Sequence, residues 1–237
     1  MPPGPLPNRS SRLRRRHLAR RFEILRAAGR QFRARGFFET GMRDIAAASD
    51  LSPANLYNYF RGKHEILFFC QDSTSDRLLA ALQKTRRLRA TSAQKLHAIV
   101  VAHLTCVLDE VEGSAAHFLT SALPRPLQER IVNKRDRYEE GLRQLIAAGV
   151  RSGEFLPCDT ALAARAILGA LNWSVLWFRP DGALSAAEIA DGFAAYLIRG
   201  LLAKLSASPT AKSKRATSRR ARNNAFEIDH RHERGAL

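Results

Sequence analysis

Apolar and polar positions repeat with a helical period along most of this chain. Between residues 18 and 35, apolar side chains recur three or four positions apart, at Phe22, Leu25, Ala28 and Phe32. That spacing places them on one face of a helix. Further helices are predicted from a cap at Thr40 to about residue 48, from a cap at Ser52 to residue 60, from about residue 63 onward, and for 92–112, 114–122, 126–151, 159–178 and 185–205. No strand pattern competes, so the predicted fold class is all-α.

Capping residues define two short helices within the stretch MRDIAAASDLSPANLYNYF, residues 42–60. Thr40 is placed to cap the first helix and Ser52 to cap the second. Pro53 suits the first position of the second helix, because an N–H group there has no partner within the helix. Two short helices joined by a tight turn, with a third helix packed across them, form a helix-turn-helix.

The second short helix has an outer face that is unusual for a core helix. Leu56 and Phe60 are four positions apart and are predicted to face the core beside Ile45. The remaining positions carry small, amide and aromatic side chains: Ser52, Ala54, Asn55, Tyr57, Asn58 and Tyr59. Amides can read base edges, and phenol hydroxyls can bond phosphates. This face is therefore predicted to read a DNA groove, in preference to being an exposed turn of an unrelated bundle.

Composition divides the chain into four segments. We predict a basic disordered arm (1–17), a helix-turn-helix DNA-binding domain (18–62), a ligand-binding and dimerisation domain (63–205) and a basic disordered tail (206–237). Most of the formal net charge of +17 lies at the two ends of the chain. Such basic ends either contact nucleic acid or remain solvated, and the sequence leaves both readings open.

Several function classes are excluded by what the sequence lacks. Three cysteines stand far apart, so neither a disulfide framework nor a metal cluster is expected, and a reducing cytoplasm is the simplest location. No apolar run is long enough to span a membrane, and no apolar stretch follows the basic N-terminus as in a secretory signal. No catalytic or phosphate-binding motif is present, so we predict no enzyme, no metal and no cofactor.

The segment RRFEILRAAGRQFRARGFFETGMRDIAAASDLSPANLYNYFRGKHEILFFC resembles the DNA-binding head of the TetR family of bacterial transcriptional regulators. Its signature comprises F-x-x-x-G-F, then T-x-x-x-D-I-A, then S-x-x-x-L-Y-x-Y-F-x-x-K. One departure is Asp50, which stands in a turn where the family commonly has glycine. Asp tolerates the left-handed backbone better than most residues, so the turn is expected to survive.

The resemblance implies a set of DNA contacts from the head. Thr40 and Arg43 would contact the backbone or a groove edge, and Lys63 would neutralise a phosphate. The residues that open the second helix would approach bases: Ser52, Pro53, Ala54 and Asn55. Tyr57 would bond a phosphate, and Asn58 and Tyr59 would contact bases or phosphate. Packing under the head remains an alternative for Tyr59, and simple solvation remains one for Arg43.

The resemblance also implies a homodimer and an effector pocket in the body. Two late helices, within 159–178 and 185–205, would pack against their twofold mates, with intramolecular core as the alternative. Aromatic and polar residues on apolar helices would line the pocket, with plain core as the alternative: Phe69, His103, Phe118, Tyr138, Trp173 and Trp177. The C-terminal part is similar to regulators of lipid and aromatic-acid catabolism, which implies an acyl-CoA effector or, failing that, a smaller hydrophobic molecule.

These implications define a ligand-responsive repressor that binds a palindromic double-stranded operator and is released when a hydrophobic effector enters the body. A ligand-independent architectural DNA-binding protein, acting through the basic tails, is the competing reading. It predicts little sequence specificity and a steep dependence of binding on salt.

Overall fold

A computed structural model describes residues 9–108 and 115–203 of this protein. Eight α-helices and one 3₁₀ helix make up this part of the chain. The α-helices are α1 (Arg9–Arg35), α2 (Met42–Ala48), α3 (Pro53–Tyr57), α4 (Lys63–Arg86), α5 (Ser92–Leu108), α6 (Arg125–Arg151), α7 (Thr160–Trp177) and α8 (Ala186–Arg199), and the 3₁₀ helix is Ala115–Ala122. The predicted all-α fold is confirmed. The predicted tail, 206–237, lies outside the described residues.

Helix α1 begins at Arg9, whereas the sequence predicted a disordered arm up to residue 17 and a helix only from Leu18. Prolines end at position 7, and the residues that follow are mostly arginine, leucine and alanine, which are strong helix formers. Helix propensity therefore extends α1 through the arginine-rich run, although the charge of this run alone predicts a disordered arm. Residues 1–8 of the predicted arm lie outside the described residues.

The head is built around the buried side chains of Ile45, Leu56 and Phe60, together with α1 residues such as Ile24 and Phe32. The helical spacing predicted Ile45, Leu56, Phe60 and Phe32 as inward positions, whereas Ile24 was not among the predicted ones. Asp50 adopts a left-handed backbone with φ of 54°, as expected for the turn between α2 and α3. The turn therefore forms without glycine, because aspartate tolerates this conformation better than most residues.

The body surrounds α5, whose residues Leu96, Ile99, Val100 and Leu104 are almost completely buried. Helices α4, α6, α7 and α8 pack around it. Helix α8 ends at Arg199, earlier than the predicted limit of 205. The backbone after it pairs with the chain that follows α6, since the N–H of Leu156 donates to the carbonyl of Leu201 at 2.8 Å.

The head and the body share one apolar cluster. Leu123 and Ile131, from the start of the body's α6 region, are buried in the same cluster as the head residues. Beside them, the buried amide of Gln71 on α4 accepts hydrogen bonds from Thr120 Oγ1 at 3.0 Å and from Arg135 at 3.4 Å. A movement of α6 relative to α4 must therefore disturb contacts of the head.

Candidate functional site

The outer face of α3 presents polar and aromatic side chains to solvent. The Oγ of Ser52 accepts a hydrogen bond from the N–H of Asn55 at 3.2 Å, which fixes the start of the helix. Pro53, Ala54, Asn55, Tyr57 and Asn58 are exposed, and Tyr57 retains 53% of its accessible surface. Leu56 alone is turned into the core. This face is free to enter a groove.

Arg43 is also exposed, in the first turn of α2. Its guanidinium is available to a phosphate or to a groove edge, because nothing in the described structure buries it. Gly41, not Thr40, is the N-terminal cap of this helix, and its N–H donates to Asp44 Oδ2 at 2.8 Å.

Thr40 lies inside the protein, which overturns its predicted role as a helix cap and DNA contact. Its side chain is fully buried, and its hydroxyl donates to the carbonyl of Gly36 at 2.7 Å. The residue holds the loop between α1 and α2 in place. Its hydroxyl cannot reach a nucleic acid on the surface.

Lys63 has a different role from the phosphate contact predicted for it. Its Nζ donates to three backbone carbonyls of the same loop, those of Phe37 at 3.0 Å, Phe38 at 2.8 Å and Thr40 at 3.2 Å. An ammonium group has three N–H donors, and all three are occupied. Lys63 therefore joins the loop between α1 and α2 to the start of α4.

Tyr59 is half-buried at the end of the α3 segment, and its ring stacks on His17 of α1 at a centroid distance of 4.9 Å. Tyr59 thus packs against α1 with part of its ring, as the alternative prediction had it, and keeps part of its surface exposed. A neighbouring guanidinium, that of Arg21, covers the rings of Phe60 and Phe69 at 4.4 and 4.2 Å. Phe69 consequently packs against the head cluster, and it is not among the residues that line the cavity between α4, α5, α6 and α7.

A cavity of about 380 Å³ opens between α4, α5, α6 and α7. Its lining is Ser75, Leu78, His103, Lys134, Arg135, Tyr138, Glu139, Arg165, Leu168, Gly169 and Asn172. His103 and Tyr138, two of the six predicted lining residues, are thus brought together. The side chain of Phe118 lies outside the described residues.

His103 and Tyr138 form the buried polar end of this cavity. The Nδ1 of His103 lies 3.3 Å from the hydroxyl of Tyr138, while its Nε2 is buried with no hydrogen-bond partner among the described residues. Burial lowers the pKa of His103 to about 4, although nearby Asn172 opposes the shift. The imidazole is therefore neutral at physiological pH, with one nitrogen left for a polar ligand atom.

The open end of the cavity is basic. Lys134, Arg135 and Arg165 contribute three cations there, and Glu139 is the one acidic group among the lining residues. Glu139 pairs with Arg165 at 3.2 Å. Lys134 pairs in turn with two carboxylates of α4, so a ligand that carries negative charge outside its apolar part would compete with these carboxylates for the cations.

Lys134 also connects two helices. Its Nζ lies 2.6 Å from Asp72 Oδ1 and 2.7 Å from Asp76 Oδ1, both on α4. Burial alone would lower the pKa of Lys134, but the hydrogen bonds to the two carboxylates outweigh burial and leave that pKa above its ordinary value. We refer to these three residues as the Lys134 bridge.

Trp173 and Trp177 do not line the cavity, contrary to the prediction. They are 62% and 45% exposed on the outer side of α7. Helical spacing could not separate the two sides of α7, because apolar residues occur all round it. Exposed neighbours extend this side into one apolar face of α7 and α8: Leu162, Trp173, Leu176, Trp177 and Tyr196.

Sequence reasoning missed the charged lining residues Lys134, Arg135 and Arg165. In the sequences of α6 and α7 these cations have the pattern of an ordinary solvent-exposed face. They come together at one cavity only because of the way the two helices pack. The helical period could have shown that Lys134 and Tyr138, four positions apart, share a side of α6.

The exposed reading face on α3, supported by α1 and α2, defines a helix-turn-helix DNA-binding protein. Residues 24–68 match the family described as "Bacterial regulatory proteins, tetR family", and residues 89–201 match "Tetracyclin repressor-like, C-terminal domain". The chain belongs to the TetR family of transcriptional regulators. It is accordingly a ligand-responsive DNA-binding regulator and not an enzyme.

Individual relatives agree with this assignment. The chain is 33% identical to the TetR family transcriptional regulator PfmR from Thermus thermophilus, covering 75% of this chain and 97% of that one with a TM-score of 0.69. It is 25% identical over 187 residues to the HTH-type transcriptional repressor KstR2 of Mycobacterium tuberculosis, covering 77% of this chain and 93% of that protein. AibR in complex with isovaleryl coenzyme A and operator DNA is 26% identical, covering 76% of this chain and 98% of that one, with a TM-score of 0.64.

None of the helices in 9–108 and 115–203 is long and apolar enough to cross a membrane. No group of three or more His, Cys, Asp or Glu side chains in the same ranges could hold a metal ion.

Proposed function

We propose that this protein is a homodimeric repressor that leaves a palindromic operator when an anionic, largely apolar effector enters the cavity of the body. The observation that carries the proposal is the shared cluster of head and body, because α6 both completes the core of the head and lines the cavity. A ligand in the cavity can therefore change the position of the reading face.

The operator is read by the exposed side chains of α3 and the adjacent Arg43. Asn55 and Asn58 offer amides to base edges, and Tyr57 offers a hydroxyl to a phosphate. A twofold dimer presents two such faces to successive major grooves about 34–36 Å apart, which requires a roughly palindromic site.

The effector class follows from the two ends of the cavity. A volume of about 380 Å³ suits an acyl chain or a small ring system, whose carbonyl can reach the unpartnered Nε2 of His103. The nucleotide part of a coenzyme A thioester is too large for the same space and would lie at the basic mouth. Its phosphates would meet Lys134, Arg135 and Arg165. The relative AibR, described in complex with isovaleryl coenzyme A, supports this class.

The Lys134 bridge supplies a route from ligand to head. An anionic group that approaches Lys134 competes with Asp72 and Asp76 and weakens the connection between α6 and α4. Since α4 begins in the head at Lys63, a shift of α4 changes the separation of the two reading faces. The ligand can move this equilibrium only through its different affinities for the two states, typically by about 1–3 kcal/mol.

Dimerisation uses the apolar face of α7 and α8. Large apolar patches exposed on a protein surface commonly mark protein–protein contacts. We expect Trp173→Glu to convert the dimer to a monomer in analytical ultracentrifugation, with the solvent-exposed change Leu88→Glu as control. A dimer that survives Trp173→Glu and Leu162→Glu together would place the interface elsewhere.

The deciding experiment selects bound sequences from a random DNA pool and then titrates the complex with acyl-CoA thioesters and the corresponding free acids. We expect a palindromic motif whose complex dissociates with an acyl-CoA. The same titration with Arg165→Gln should require more thioester, because one cation is removed from the mouth while the Lys134 bridge stays intact. If no motif is enriched and binding depends only on salt, the architectural alternative replaces the proposal.

A further inference from the structure

Five arginines, Arg9 among them, stand at the start of α1, ahead of the residues that match the family. Arg12, Arg14, Arg15 and Arg16 lie within Arg9–His17, whereas the family match begins at residue 24. All four side chains are exposed. Within residues 9–108 and 115–203, none of the four has an acidic partner. We call the segment Arg9–His17 the basic extension.

The basic extension is electrostatically unfavourable in the free protein. Arg12 and Arg16 are four positions apart, so like charges face each other along the helix. The first turn of α1 contains no acidic residue, and cations at the start of a helix oppose the helix dipole. An external anion would relieve both effects.

Two contacts fix the position of the basic extension relative to α3. His17 stacks on Tyr59 at 4.9 Å, and Arg20 donates to the carbonyl of Ser49 in the turn before α3 at 2.8 Å. Arg14 and Arg16 line a recess beside the same tyrosine. The extension therefore starts where the α3 segment ends and continues for about 12 Å beyond His17, at 1.5 Å per residue.

We propose that the basic extension lies on DNA phosphates that flank the bases read by α3. This inference rests on the proposed reading role of α3, because the end of a helix in the major groove adjoins the phosphates of the groove wall. A length of about 12 Å spans three to four phosphates of one strand, at about 3.4 Å each along the axis. Phosphate contacts add affinity and salt dependence without adding base preference.

The test compares two duplexes that contain the same selected site, one ending at the site and one with about ten more base pairs, one helical turn, on each side. We expect the unmodified protein to bind the longer duplex at least about tenfold more tightly at about 0.1 M salt. A variant of the extension should lose this advantage: Arg12→Gln, Arg14→Gln and Arg16→Gln together. Its log–log salt slope should be shallower by about 0.9 for each phosphate that the variant no longer neutralises.

A matched control removes the same charge at the far end of α4 and should keep the advantage: Lys84→Gln, Arg87→Gln and Arg89→Gln together. Replacing Arg12, Arg14 and Arg16 by Lys should also keep it, since a phosphate contact needs the charge and not the guanidinium. Asn55→Ala should change the preferred bases while leaving the effect of duplex length intact, which separates this inference from the role of α3.

Two results would overturn the inference. If the glutamine variant kept the full length advantage, the extension would not touch flanking DNA, and an acidic protein surface would become the occupant to consider. If its affinity fell equally for both duplexes, its contacts would lie within the site and not beside it.

Discussion

Replacing Lys63 by methionine separates a structural role for this residue from a DNA-binding one. Methionine keeps an unbranched apolar stem against Phe37, whose ring lies 4.9 Å from Nζ, but removes the ammonium group. The three carbonyls of the loop between α1 and α2 then lose their common donor. The loop contains Thr40 and leads into α2. Loss of the Lys63 ammonium group can therefore affect the DNA-reading face of α3 only indirectly, by displacing this loop.

The expected cost can be worked out from the three bonds. A hydrogen bond that involves a charged group contributes about 1.5–3 kcal/mol, but ordering a lysine side chain costs up to about 2 kcal/mol. Lys63 is only half-buried, so water can replace part of these interactions. We expect Lys63→Met to lower the free energy of unfolding by about 2 kcal/mol in a urea titration.

The DNA-binding assay supplies the second readout and the control. Lys63→Met should leave the log–log salt slope unchanged, because no phosphate contact has been removed. Arg43→Met should do the opposite, reducing the slope by about 0.9 per subunit while leaving the free energy of unfolding unchanged. If Lys63→Met reduced the slope and left stability intact, the reasoning from its three carbonyl partners would be refuted.

Three further predictions concern the body. A double-mutant cycle of Lys134→Gln and Asp72→Asn should give a coupling energy of about 1–2 kcal/mol in urea titrations, since the pair is largely buried, and additive effects would argue against the Lys134 bridge. The pKa of His103 is about 4 in the folded protein and 6.5 ordinarily, so the buried imidazole opposes protonation. The free energy of unfolding should therefore fall by about 3 kcal/mol as the pH drops from above 6.5 to 4. The variant His103→Gln should abolish this pH dependence. Gly149→Ala should destabilise the protein by about 1–3 kcal/mol, because its Cβ would lie 2.1 Å from a buried phenylalanine ring, whereas Gly192→Ala meets nothing within 4 Å and should not destabilise it.

Much of the fold could be predicted because it is encoded locally. Spacing alone identified the inward positions Ile45, Leu56 and Phe60, and side-chain chemistry identified Ser52 as a cap and Asp50 as a left-handed turn residue. Each of these depends on neighbours within a few positions of the same segment. Local pattern was therefore sufficient for the core positions and the turn of the head, but not for the start of α1 or the cap of α2.

The errors arose where a side chain's partner is distant in sequence. The carbonyls that accept hydrogen bonds from Lys63 belong to residues more than 20 positions earlier. The position of Lys63 in the family motif predicts a phosphate contact and contains no information about these distant carbonyls. Thr40 differs in this respect, because its hydroxyl donates to Gly36 only four positions earlier, and its burial follows from the path of the loop between α1 and α2. In the body, the cations of the cavity mouth meet only after α6 and α7 pack, which no periodicity along one helix reveals.

The exposed side of α7 has a spectroscopic consequence. The chain contains two tryptophans, and both lie there, with Trp177 stacked on Phe193 at 6.0 Å. Intrinsic tryptophan emission therefore reports the hydration of this face. Dilution below the dissociation constant of the dimer should shift the emission to longer wavelength, whereas a ligand at His103 should leave the indoles in the same environment. Assembly and effector binding can thus be followed separately in the unlabelled protein.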